Sequence, residues 1–231
     1  MKRIAGIRSK AVVVLAVLLS SGAACAAAND VASLYGPQPP EDASYLRLLN
    51  LSPQAVRVAL AGSDTPRTLA PGAATRFSVV ARGTPLRVTV DGMLLREASG
   101  DASPGDAITV ALRRDASGWH GTPVAARYGR ANGLKATLRV FNFVPGCAAT
   151  ISVDGDGPTV FARVASGTQD ARAINPLDVK LVGQCGKAIS APLPLPMLAA
   201  GDSYSLFVNG NAAKPVLSGA RDVLAWPPAT H

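Results

Sequence analysis

The sequence predicts an all-β protein, two tandem small antiparallel β-sandwiches of immunoglobulin-like size following a cleaved export signal. Three observations predict it. Eighteen prolines are spread through 231 residues, and each interior proline costs a helix about 3 kcal/mol. Short runs alternate apolar and polar residues at period two, the pattern of a strand with one face in a core and the other in solvent. The chain also resembles itself. Only 16% of residues are charged, against about 25% in an average soluble protein, so the composition is that of a folded chain rather than a disordered one.

The first element is a secretory signal at 1–26. Lys2, Arg3, Arg8 and Lys10 form a basic start, and 11–19 is an uncharged apolar run too short to span a bilayer. Ala24-Cys25-Ala26 fits a small-x-small cleavage site, and cutting after Ala26 or after Ala28 both satisfy it. Cys25 offers a rival reading as a lipidated cysteine, but Gly22 stands where a lipoprotein usually has Leu. Removing the signal takes away four of the 23 basic residues and none of the 15 acidic ones, so a net charge of +8 becomes +4. Two cysteines then remain, Cys147 and Cys185. In an oxidising compartment an even pair favours a disulfide, worth about 3–4 kcal/mol on chain-entropy grounds for a loop of roughly 40 residues; a free thiol pair and a metal site are the weaker readings.

The repeat sets the domain organisation. LRLLNLSP at 46–53 parallels LRVFNFVP at 138–145, an offset of 92; PLRVTV at 85–90 parallels PLDVKL at 176–181, an offset of 91; Gly105-Asp106 parallels Gly201-Asp202, each opening an alternating strand. Turn signals separate the strands: Pro71-Gly72, Asp91-Gly92, Pro104-Gly105, 154–157 (DGDG) and Asn209-Gly210. One sandwich is expected at 32–112 and a second at 136–225; a single closed barrel is the alternative, and a duplicated unit with its own core argues against it. Between them 113–135 reads as a basic, Gly-punctuated linker. Its Arg113, Arg114, Arg127 and Arg130 are a candidate polyanion patch, with a solvated connector as the plainer reading. Trp119 and Tyr128 could stack on sugars or cover the junction.

Catalytic patterns are mostly missing. Gly201-Asp202-Ser203-Tyr204 resembles the nucleophile block of GDSL/SGNH esterases, but it lies near the C-terminus, only His231 follows it, and the first copy has Ala107 in place of the serine. The only other histidine, His120, falls in the expected linker. There is no nucleophile elbow, P-loop or dinucleotide fingerprint. The DGDG run lacks the further ligands of a calcium loop and reads as a hairpin turn. No cofactor, metal or nucleic acid is expected.

Ala32-Ser33-Leu34-Tyr35-Gly36-Pro37, then Ser44-Tyr45 and the LRLLN block, resemble the opening of the AlgF family, periplasmic accessory proteins of alginate O-acetylation. LRVFN at 138–142 and AINPLDV at 173–179 extend the resemblance to about Asn209. The resemblance implies a non-catalytic adaptor that works beside a membrane-bound O-acyltransferase and periplasmic SGNH-type acetyltransferase-like proteins, on an exopolysaccharide that is either alginate or, in counterpart systems, cellulose. It makes Leu34, Tyr35, Gly36 and Pro37 a candidate docking segment, with a tail that braces its own sandwich as the alternative. Cys147, Cys185 and the Arg/Gly linker depart from the family pattern. A carbohydrate-binding module without acetylation partners is the second reading, and an enzyme carrying acetyl on Ser203 the third.

Overall fold

The computed structural model of the protein describes residues 39–60, 66–95, 102–127 and 134–226. Among them there is no helix. The first copy comprises β1 (Ser44–Asn50), β2 (Val56–Leu60), β3 (Arg67–Leu69), β4 (Phe77–Val80), β5 (Val88–Val90), β6 (Met93–Leu95), β7 (Asp106–Asp115) and β8 (Gly118–Arg127). The second comprises β9 (Ala136–Asn142), β10 (Ala149–Val153), β11 (Thr159–Val164), β12 (Thr168–Ile174), β13 (Lys180–Cys185), β14 (Ala188–Ile189), β15 (Leu193–Pro194), β16 (Ser203–Asn211) and β17 (Lys214–Arg221), followed by a short β18 (Leu224–Ala225).

The two copies share one plan. The first copy has sheets ordered β4-β1-β7-β8 and β3-β2-β5-β6; the second has β12-β9-β16-β17 and β11-β10-β13-β14. In each, one pair is parallel, β1 with β7 and β9 with β16, while the other pairings within the copies are antiparallel. The all-β sandwich expectation therefore holds, with a parallel pair at the heart of each inner sheet. The plan is also duplicated in detail. Asn50, at the end of β1, is fully buried and donates to the carbonyls of Gln54 and Leu69. Asn142, at the end of β9, is fully buried and donates to those of Cys147 and Val164. Each asparagine satisfies backbone groups that the turn into the second sheet would otherwise leave unpaired.

Four layers result, because the two inner sheets also pack on each other. Leu46, Leu48, Ile108, Val110 and Leu112 face the first copy's outer sheet, and Leu138, Val140, Tyr204, Leu206 and Val208 face the second's. The alternate residues of the same strands, with Leu49, Ala111, Phe141 and Phe207 among them, join Val124 and Ala126 in a third apolar cluster between the copies. Hence β1, β7, β9 and β16 are buried on both faces and read as near-continuous apolar runs. The outer strands β2, β5 and β13, with one face in a core, keep a clean alternation. Each copy thus has its own core, and a third core joins them.

Three expectations need correction. The segment 113–135 is not a linker along most of its length: 113–115 end β7 and 118–127 form β8, paired residue for residue from Asp106–Arg127 to Asp115–Gly118. Gly118, Gly121 and Pro123 obscured the alternation, but Gly121, Val124 and Ala126 are buried and the residues between them are not. Asn209-Gly210 lies within β16, and the turn falls at 212–213. Gly210 is still required there, with φ of 85° and the Lys214 carbonyl 2.5 Å from where a Cβ would sit. The 85–90 and 176–181 match is two residues out of register: Val58 pairs Val90 while its counterpart Ile151 pairs Gly183. Period-two strands hide such a slip, since the same face stays apolar. Asp91-Gly92 does form the two-residue hairpin expected, both with positive φ.

Candidate functional site

The chemistry of the chain concentrates between the inner sheets. Arg47, on β1, has a side chain 1% exposed. Its Nη1 donates to Asp222 Oδ1 at 2.6 Å, its Nε to Thr109 Oγ1 at 2.8 Å and its Nη2 to Ser205 Oγ at 2.8 Å. Phe77, Phe207 and Phe141 surround the guanidinium with ring centroids at 4.4, 4.9 and 5.3 Å, an arrangement that favours a planar cation. Burial pulls the Arg47 pKa down to about 10 against the attraction of Asp222, and it stays protonated at neutral pH. Asp222 also takes Ser203 Oγ and Ser205 Oγ, each at 2.7 Å, and Arg139 Nη1 at 3.2 Å.

This cluster breaks the internal symmetry. Arg139 is the counterpart of Arg47, and strand register makes Ser205 the counterpart of Thr109 and Ala126 the counterpart of Asp222. One carboxylate therefore serves two guanidiniums. Arg47 takes the better place; among the described residues Arg139 Nη2 meets the Arg127 carbonyl at 3.4 Å and its buried Nε has no acceptor. Asp222 follows β17 directly, and β18 then crosses to the first copy, pairing parallel with β4 while Phe77 N–H donates to the Val223 carbonyl at 2.8 Å. The end of the second copy is thus bound into the first by an ion pair and a strand.

Ser203 donates its hydroxyl to a carboxylate already shared by two arginines, at a position where the second copy's last strand meets the first copy. A serine nucleophile needs a base positioned to take its proton. His120, on β8, gathers a different set: Ser117 Oγ at 2.7 Å and Asp115 Oδ1 at 3.1 Å. Both meet Nε2, whereas a Ser-His-Asp relay engages the two ring nitrogens separately. The Ser117 hydroxyl and N–H hold the exposed Asp115 below the usual carboxylate range, so this is a capped hairpin turn. The grouping is hidden in the sequence, where the arginines and glycines of 113–135 give the pattern of a linker. His231 lies outside the described residues.

The structure separates the arginines expected to act as one patch. Arg113 donates to the Phe143 carbonyl and burial lowers its pKa. Arg114 lies over the Trp119 ring at 5.7 Å. Arg127 pairs with Asp106 at 3.2 Å, at the far end of the same hairpin, about 25 Å away at 3.3 Å per residue. Arg130 and the segment Leu34, Tyr35, Gly36 and Pro37 lie outside the described residues. Cys147 and Cys185 form a disulfide with a sequence separation of 38, tying the turn before β10 to the end of β13; the first copy has no equivalent. Asp154 and Asp156 sit in the turn between β10 and β11, and among the described residues no group of three acidic, His or Cys side chains could hold a metal. No helix among them is long and apolar enough to cross a membrane.

A family model described as alginate O-acetyl transferase AlgF matches residues 16–205. Among solved structures, the C-terminal domain of AlgF from P. aeruginosa is 28% identical, covering 38% of this chain and 98% of that one with a TM-score of 0.34. CBMbc (family CBM26) from Eubacterium rectale, in complex with maltoheptaose, is 12% identical, covering 77% and 96% with a TM-score of 0.27. None of the curated proteins matches the chain. The family model spans the whole first copy and the second as far as β16, and on that match the chain belongs to the AlgF family and has a role in alginate O-acetylation.

Proposed function

We propose that this protein is a periplasmic, non-catalytic adaptor of the alginate O-acetylation complex. It supports passage of acetyl groups to the polymer by holding a membrane-bound O-acyltransferase and SGNH-type acetyltransferase-like proteins in register. The observation that carries the reading is the use of the buried polar groups. Ser203, Ser205 and Thr109 spend their hydroxyls on the Arg47–Asp222–Arg139 cluster, which joins two sandwiches into one body. A body with two related halves and a fixed internal geometry is suited to positioning partners. The basic start and apolar run of the sequence support export, and family membership supports partners within the alginate system.

The test is genetic and biochemical. Deleting the gene should leave polymer synthesis intact and remove acetate esters from the polymer, with restoration by the wild-type gene in trans. A tagged chain should co-purify with the acyltransferase from membranes. Polymer that keeps its acetate in the deletion strain would overturn the proposal.

A further inference from the structure

We infer that the outer edge of β12 is a docking site for an extended strand of a partner protein in the acetylation assembly, added parallel to β12. The inference rests on the adaptor reading and comes from comparing the two copies. In the first copy, the edge strand β4 carries an added parallel strand, β18, whose first hydrogen bond is Phe77 N–H to the Val223 carbonyl. In the second copy the equivalent edge strand is β12, and among the described residues no strand lies beyond it.

Register identifies the equivalent donor. Leu46 pairs Ser78, and its counterpart Leu138 pairs Arg172, so Phe77 corresponds to Ala171. The Ala171 N–H does not serve the ladder to β9. It donates to the carboxylate of its own neighbour, Asp170 Oδ1, at 2.7 Å. A side-chain carboxylate therefore occupies the place that a strand carbonyl fills in the first copy. This is a reversible cap on an edge that would otherwise attract any passing strand.

The rest of β12 fits this use. It is seven residues long, regularly paired with β9 from Thr168–Asn142 to Ile174–Ala136, free of proline, and five of its seven residues are exposed. Arg172 is held by the Val160 carbonyl at 2.6 Å, which leaves backbone groups as the recognition surface. β-Augmentation of this kind draws affinity from main-chain hydrogen bonds. A second copy of this chain is disfavoured as occupant, because two β12 edges related by a two-fold axis would run antiparallel, and the internal precedent is parallel.

Two variants test it in opposite directions. Ala171→Pro removes the donor without removing a ladder bond, and a proline is tolerated at a strand edge. Asp170→Ala removes the cap and leaves the donor. In cells making the polymer, A171P should lower both acetate esters and co-purified partner by about tenfold or more, and D170A should retain or raise both. A photo-crosslinking residue placed at Ala173 should attach to an extended segment of an acetylation subunit, identified by mass spectrometry, and this readout stands even where A171P fails to fold. Wild-type acetylation in folded A171P, or crosslinks that go only to a second copy, to this chain's own residues or to nothing, would overturn the inference. If gene deletion abolishes acetylation while folded A171P does not, the docking site fails alone and the adaptor reading stands.

Discussion

Replacing Asp222 with asparagine removes one charge, keeps the shape of the side chain, and tests how the two copies are joined. Arg47 and Asp222 are each 1% exposed and meet at 2.6 Å. With charge centres about 4 Å apart and an effective dielectric constant near 20, their attraction is about 4 kcal/mol. Losing one partner of a buried pair costs about 3–5 kcal/mol, because the other charge stays buried. Here the loss is at the upper end, since Arg139 depends on the same carboxylate. At about 2–4 °C per kcal/mol for a body of this size, D222N should lower the Tm by about 10–20 °C, measured by calorimetry. Arg47→Met should recover part of the loss in the double variant, with a coupling of about 1–3 kcal/mol. A drop worth less than about 1 kcal/mol is what an exposed pair gives and would refute the reasoning.

Two further predictions concern the second copy. Replacing Cys147 and Cys185 by alanine together should destabilise it by about 3–4 kcal/mol through the lost constraint on a 38-residue loop, seen as an earlier melting transition matched by reduction of the wild type; coincident melts with and without reductant would contradict this. Burial raises the pKa of Tyr204, so between pH 10 and its folded value the unfolded phenol ionises first and stability falls as pH rises. An absorbance titration at alkaline pH should show a late-ionising phenol that Tyr204→Phe removes, and four tyrosines all ionising together would contradict it.

Legibility from the sequence followed the physics of each element. The LRLLN and LRVFN blocks were visible as a repeat because both copies bury the same strand on two faces, so most of its residues are constrained. The Cys147–Cys185 disulfide was legible from the even cysteine count that remains once 1–26 is read as an export signal. The Arg47–Asp222 pair was not, because 175 residues separate its members and an arginine in an apolar strand carries no mark of its partner. Nor was the broken symmetry, since Asp222 and Ala126 become counterparts only once strand register is known. The basic hairpin at 113–127 was hidden by composition: its arginines suggested solvent and its glycines suggested a connector, while three buried small or branched residues, Gly121, Val124 and Ala126, decide its place. The role of Ala171 belongs to backbone pairing, which leaves little trace in side-chain identity.

The proposed function is that this chain positions other proteins and performs no chemistry of its own. It is tested most directly by the acetate content of polymer from a strain whose only copy of the gene carries Ser203→Ala. Acetate should stay at the wild-type level, with a small loss of stability from one missing hydrogen bond to Asp222. Unacetylated polymer from a strain in which the S203A protein is present and folded at wild-type abundance would contradict it.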